Sequence, residues 1–521
     1  MTGPAAKILR NTAFNTAGRT VAALGNLVLF PYLVARLGAE AYGVWMVVGA
    51  LGGYFGLVDL GFGAAYVKYV SEFEAKGQLD RISAVLNTSF AFYSVVALVV
   101  WAAVDLFIDP LVGVFVPKPE LAEDARFMVR VTVAILLAAN ATAAFGAIQQ
   151  GLQRLDVWNK VGMSMQLISL AGAVFVIESG YGLRGLVLNN AVVFLLTLAL
   201  RIYTTYRLAP WLRFRPWRAD IGTLRRFFGF GIKLQVEKLA VLIIFQTDKL
   251  LVAWLLSLEY VTFYDLATRI TGILRSLPGL MTSAIFPAVS EMNARGDTPY
   301  LRRLYLRSVK YLALAVMPIA AITISCAPHL VGAYMGAGFG ASVPIVLILT
   351  AGYLSNVFSY PCTVFGGGLG RPEWQMYAAL VGMILNLPCS IGFFYLLAGP
   401  EGGYPGGIAI GTVVSLVAAN LILIAKSTAY LKISPREYWI GAISKPALAG
   451  AVATGLALAG LMLAPASRIA ESRIEHAVFL GAGTATIALV YAAGIYLTRC
   501  IDREDLKIVA RVPVLRNWVP T

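Results

Sequence analysis

The sequence predicts an all-α polytopic membrane protein of about 14 transmembrane helices, built as two pseudo-symmetric six-helix lobes plus two C-terminal helices. Composition, the spacing of apolar runs and an internal repeat predict it. Of 521 residues, 59% are hydrophobic and only 13% charged, and the mean hydropathy is +0.75. Soluble domains are about 25% charged, so a water-soluble enzyme is excluded, as is a disordered chain. The net charge of +15 would suit nucleic acid only on a soluble basic module, and the apolar runs leave no length for one. No nucleic-acid partner is expected.

A helix needs about 20 apolar residues to cross a bilayer. Polar breaks place the spans at 12–36, 41–68, 84–108, 124–149, 160–178, 183–206, 231–257, 261–288, 309–331, 343–365, 375–397, 406–426, 443–464 and 477–498. The first is too long for a signal-peptide core and reads as a retained span. The even count puts both termini on one side. Loops on that side hold most of the Lys and Arg, leaving Arg36, Lys118, Arg126, Arg130, Arg184, Arg468 and Arg473 opposite, so both ends are expected in the cytoplasm. The connector 207–230 interleaves Arg with Trp and Phe and reads as an elbow lying on anionic headgroups. The opposite loops are short, the longest expected at 109–123 and 464–476.

The repeat divides the spans. Val70–Gly77 (VSEFEAKG) matches Val289–Gly296 (VSEMNARG), Gly151–Trp158 (GLQRLDVW) resembles Gly368–Trp374 (GLGRPEW), and Gly180-Tyr181-Gly182 answers Gly403-Tyr404-Pro405, all at nearly one offset. Each unit holds six spans, so the halves share an orientation and relate by an axis along the membrane normal. The expected organisation is an N-lobe over 1–206, the linker 207–230, a C-lobe over 231–430, and two further spans with a tail over 431–521. Paired lobes of this kind can hold a site at their interface and expose it alternately to either side.

Charges inside spans are costly unless they face water or one another. In span 1, Asn11, Asn15, Arg19 and Asn26 share a face. Span 2, read as one helix, aligns Gly49, Gly52, Gly56, Asp59, Gly63 and Tyr66, the glycines as a packing seam and Asp59 as a carboxylate needing a partner. Span 7 carries Lys233, Glu237 and Asp248 on one face, with Lys238 and Lys249 on a second. On span 8, Asp265, Thr268, Arg269, Gly272, Arg275, Ser276, Gly279 and Ser283 form a polar stripe about 120° wide, beside Pro278. A cavity lined by such side chains binds anions, because the Arg fork meets phosphate oxygens in pairs. Expected to hold a diphosphate and its glycan are Arg19, Arg269, Arg275, Lys249, Asn15 and Asn26. Asp59, Asp248, Glu237 and Asp265 are the expected acids for coupling an ion or orienting Arg. No P-loop, HExxH or metal-spaced histidine occurs. His329 and His476 read as packing or surface residues, Glu123-Asp124 and Glu504-Asp505 as solvated faces, and the four cysteines as no disulfide framework.

The runs Gly56-Leu57-Val58-Asp59-Leu60-Gly61-Phe62-Gly63 with Lys68-Tyr69-Val70-Ser71-Glu72, Gln246-Thr247-Asp248-Lys249 with Tyr264 and Ala267-Thr268-Arg269-Ile270, and Phe286-Pro287-Ala288-Val289-Ser290 with Leu301-Arg302-Arg303-Leu304-Tyr305 resemble the Wzx-type polysaccharide-biosynthesis flippases. These belong to the multidrug/oligosaccharidyl-lipid/polysaccharide (MOP) exporter superfamily. The resemblance covers roughly residues 10–430 and implies two lobes forming a V, with spans 1, 2, 7 and 8 around a cationic cavity. It implies translocation of a polyprenyl-diphosphate-linked oligosaccharide for O-antigen, capsule or exopolysaccharide assembly, coupled to H+ or Na+, with no other cofactor, among membrane lipids and beside a polymerase or co-polymerase. The alternatives are a drug/cation antiporter, which would favour an acidic cavity, and a polytopic glycan polymerase or ligase, which would need catalytic groups in a long outer loop.

Overall fold

The computed structural model describes residues 25–282, 285–336, 338–398, 403–462, 472–502 and 505, with the backbone alone at 230–234, 237 and 280. Among them all regular structure is helical. Eleven helices among the described residues are long and apolar enough to cross a membrane. The other three expected spans differ for stated reasons. Span 1 is described only from Gly25, as α1 (Gly25–Leu37). Spans 7 and 8 form long helices, α8 (Ile221–Leu255) and α9 (Leu258–Thr282), which charged residues keep below that apolar standard.

The chain forms two compact units, Met1–Thr262 and Phe263–Thr521. The first holds α1, α2 (Ala39–Phe55), α3 (Phe62–Ala75), α4 (Leu79–Phe115), α5 (Pro119–Gly151), α6 (Leu155–Glu178), α7 (Gly182–Leu208) and α8. α9 begins in the first unit and continues into the second. The second adds α10 (Ile285–Ala294), α11 (Thr298–Ser325), α12 (Ala327–Met335), α13 (Ser342–Gly368), α14 (Glu373–Leu396), α15 (Pro405–Tyr430), α16 (Ser444–Met462) and α17 (Arg473–Leu497).

Several boundaries depart from expectation. α4 runs through Pro110 to Phe115 and α5 starts at Pro119, so the loop expected over 109–123 shrinks to 116–118. The elbow is only partly a surface feature. Its second half is already helix, started by Asp220, which accepts from Gly222 N at 3.1 Å, Thr223 N at 2.7 Å and Thr223 Oγ1 at 2.6 Å, an N-cap that satisfies donors the helix cannot. Trp217 is exposed, whereas Phe227 is fully buried with Phe62, Tyr66 and Tyr93. Buried Asn87 and its neighbours stitch the elbow to α4: Arg215 N donates to Asn87 Oδ1 at 2.7 Å, Arg213 N to Ser83 Oγ at 3.2 Å and Asp220 N to Thr88 Oγ1 at 2.9 Å. In the second unit, Ala321, Ala449, Ala453 and Ala457 let α11 and α16 pack closely, with Ile487 and Tyr491 of α17.

The repeat is present as structure within each unit. A Cβ on Gly151 would meet Val70 Cγ1 at 2.5 Å, and one on Gly368 would meet Val289 Cγ1 at 2.7 Å. Gly77 and Gly296 close their helices at φ 66° and 69°, and Arg154 pairs with Asp156 as Arg371 does with Glu373.

Candidate functional site

Span 2 is not one helix. After Phe55 the chain tightens into a 3-10 turn over Gly56–Asp59, Leu60 and Gly61 adopt left-handed φ of 49° and 73°, and α3 starts anew at Phe62. Expecting a single glycine face from Gly49 to Tyr66 was therefore wrong. Glycine at 61 suits the left-handed step of the break, and Leu60 adopts a backbone L-residues avoid. A broken membrane helix must satisfy its freed backbone groups within the protein. Gln235 Nε2 of α8 donates to Leu57 O at 2.5 Å, and Tyr93 OH of α4 to Asp59 O at 2.5 Å.

The Asp59 side chain joins the same junction. Its Oδ1 accepts from Gly63 N at 3.3 Å, and its Oδ2 pairs with Lys238 Nζ of α8. The carboxylate is 19% exposed and the Lys238 side chain 48%, so one end of the pair is open. Tyr54 OH meets Thr247 Oγ1 at 2.5 Å, a second clasp between the arm of the break and α8. Asp248 is buried near Tyr54, and Lys249 is half-buried. Lys238, Gln235, Tyr93 and Thr247 were not singled out in the sequence for this site. Only the Gly-rich GLVDLGFG run signalled a break that would turn Asp59 toward α8.

In the second unit, α9 carries the stripe without interruption from Asp265 to Gly279. Leu266, Ala267, Thr271, Leu274 and Pro278 are buried, while Arg275 and Ser276 are exposed and Arg269 is partly so. Asp265 is buried and its Oδ2 accepts from Arg269 Nε at 2.6 Å. Thr268 Oγ1 donates to Asp265 O at 2.8 Å. Tyr334 of α12 lies in the field of both charges. The arrangement is a guanidinium 30% exposed, braced by a carboxylate 3% exposed, on a helix flank that also bears Arg275.

Of the other expected residues, Asn26 is exposed on α1. Arg19, Asn15, Asn11 and Ser283 lie outside the described residues, as do the side chains of Glu237 and Lys233. Arg36, at the end of α1, pairs with Glu178 at 2.7 Å. Asp505 is not solvated as expected: it is 3% exposed, accepting from Lys310 Nζ at 2.5 Å and Tyr311 OH at 2.6 Å. Burial alone would raise its carboxyl, but those bonds and one from Asp502 N hold it below the usual carboxylate range. His329 and His476 pack together, Nδ1 to Nδ1 at 3.2 Å, with His329 stacked on Phe479. All four cysteines are free.

A model of the polysaccharide biosynthesis protein family matches residues 8–293, more than half the chain. The chain belongs to that family. Its resemblance to Wzx-type flippases of the MOP superfamily is borne out, and a MatE family model also matches residues 234–391. The uncharacterized membrane protein EpsK of Bacillus subtilis (strain 168) is 22% identical over 493 residues, covering 92% of this chain and 93% of that one. A Shigella flexneri protein provisionally named an O-antigen transporter is 20% identical over 357 residues, 68% of this chain and 82% of its own. Among solved structures, the lipid II flippase MurJ in an inward closed conformation has a TM-score of 0.68 at 13% identity, covering 93% of this chain and 99% of that one, a likeness of fold. The chain is a multi-pass membrane protein of the polysaccharide biosynthesis protein family.

Proposed function

We propose that the protein flips a polyprenyl-diphosphate-linked oligosaccharide from the cytoplasmic to the outer leaflet of the bacterial inner membrane by alternating access. Cell-surface polysaccharide assembly is its destination, a polymerase or co-polymerase receives the product, and both termini are cytoplasmic. The observation that carries this reading is the α9 stripe, where buried Asp265 braces Arg269 and Arg275 stands exposed nearby. A guanidinium whose position is set by a carboxylate on its own helix loses little freedom on meeting phosphate oxygens. Arg269 and Arg275 hold the diphosphate, with Lys249, Arg19, Asn15 and Asn26 completing the headgroup and glycan contacts. The prenyl tail stays in lipid.

Coupling to an H+ or Na+ gradient falls to the acids. Protonating Asp59, or giving it a sodium ion, removes the negative partner of Lys238 and loosens α8 from the broken helix. Asp248 and Glu237 are further candidates for the coupling ion. A drug/cation antiporter is the second reading, favoured by the MatE match over 234–391, but a positively charged α9 flank is the wrong sign for a cationic substrate.

The test is Arg269→Ala in a strain dependent on this gene for its surface glycan. Export should fall at least tenfold at equal membrane level, with Arg269→Lys intermediate because a point charge replaces the fork. Normal glycan output from Arg269→Ala would remove Arg269 from the mechanism.

A further inference from the structure

Arg201 stands on α7 about 10 Å inside the end from which the 209–220 connector leaves, at about 1.5 Å per residue. Its guanidinium carbon lies 3.8 Å from the centroid of the Trp158 ring of α6. Its Nε is shut off from solvent and has no acceptor among the described residues. The surroundings are built to keep it there. Trp158 seats on Gly146 of α5, where an added Cβ would come within 2.2 Å of the ring. Fully buried Gln149 ties α5 to α7 by donating to Arg201 O at 3.1 Å, Thr204 Oγ1 at 2.8 Å and Thr205 Oγ1 at 2.9 Å.

An ionised side chain in apolar surroundings requires an acceptor, and the indole face meets only part of that need. What remains on offer is a planar fork of N–H donors, the geometry that suits a phosphate. The same end of α7 is basic and aromatic. Arg207 lies 5.9 Å over the Tyr203 ring, and the connector that follows carries Arg213, Arg215 and Arg218. Arg201 thus sits where headgroup phosphates of a bilayer reach a membrane protein.

We propose that Arg201 and Trp158 form a binding site for the phosphate group of an anionic phospholipid, occupied independently of the transported substrate. The site holds one lipid at the α6–α7 edge of the first unit. It does not depend on the transport reading, because it is read out by lipid binding alone.

The test is native mass spectrometry of the full chain in detergent, titrated with phosphatidylglycerol, phosphatidylcholine or inorganic phosphate. The first phosphatidylglycerol should bind at least tenfold more tightly than phosphatidylcholine, and Arg201→Gln should abolish that preference while Arg201→Lys keeps part of it. If Arg201→Gln does not fold, Trp158→Leu carries the test, since it leaves the charge and removes its platform; at least a tenfold loss is expected. Equal binding of the two lipids, or an unchanged preference in the variant that folds, would overturn the proposal. Displacement of the lipid by submillimolar inorganic phosphate would overturn the lipid assignment in favour of a free-anion site.

Discussion

Asp59 makes two kinds of contact at the break. Its carbonyl receives a tyrosine from α4, and its carboxylate bridges a backbone amide and Lys238. Both follow from the broken helix. Removing one partner of a fully buried pair costs about 3–5 kcal/mol; with Lys238 48% exposed, solvent screening brings Lys238→Met to about 1–2 kcal/mol. The reversal Asp59→Lys with Lys238→Asp separates structure from coupling. Thermal melting should recover toward wild type in the double variant while glycan export stays lost, because a carboxylate on α8 cannot titrate in place of one at the break. Recovery of export along with stability would make the pair purely structural. In the sequence the acids and bases of spans 7 and 8 were legible from charge in apolar runs, and Asp265 was expected among the acids that couple an ion or orient Arg, though Arg269 was not named as its partner. Lys238 as the partner of Asp59 was not, because one continuous wheel through residues 41–68 aimed Asp59 elsewhere.

At the scale of elements, hydropathy located the membrane helices, since most of their side chains meet either lipid or another apolar helix. It could not locate ends or breaks. Apolar content continues smoothly across Gly56–Gly61 and along α4 past Asp109, where only backbone geometry decides. The C-terminal turn was misread for a related reason: Asp505 is polar and near the end of the chain, yet it docks on Lys310 and Tyr311 of α11, pairing at long range that no local pattern encodes. Its folded pKa is depressed, so the stability it contributes is complete above the ordinary carboxylate range of about 4 and is lost as pH falls through the lower folded value. Asp505→Asn should cost on the order of 3 kcal/mol at pH 7. The melting difference between wild type and variant should stay constant from pH 7 to 5 and shrink only below about pH 4. A difference that closes already between pH 7 and 5 would show that the pair is not what Asp505 contributes.

For the whole molecule, the repeat explains more than any single span. In each unit a valine from the VSE motif lies on the glycine that opens the later GL motif, Val70 on Gly151 and Val289 on Gly368. A Cβ does not fit at either contact, so Gly151→Ala and Gly368→Ala should each destabilise by about 1–3 kcal/mol through overpacking. Equal losses of thermal stability would confirm equivalent joints; a neutral variant in one half would show that this half has diverged. Two units with matching joints, each bearing charged residues in its membrane helices, suit a transporter that moves a charged lipid headgroup. The most direct measurement is reconstitution into liposomes with a fluorescent polyprenyl-diphosphate oligosaccharide loaded in one leaflet and an imposed H+ or Na+ gradient, reading its arrival in the other leaflet. The wild-type protein should move the lipid at least tenfold faster than Arg269→Ala vesicles. Equal rates in wild-type, Arg269→Ala and protein-free vesicles would contradict the account.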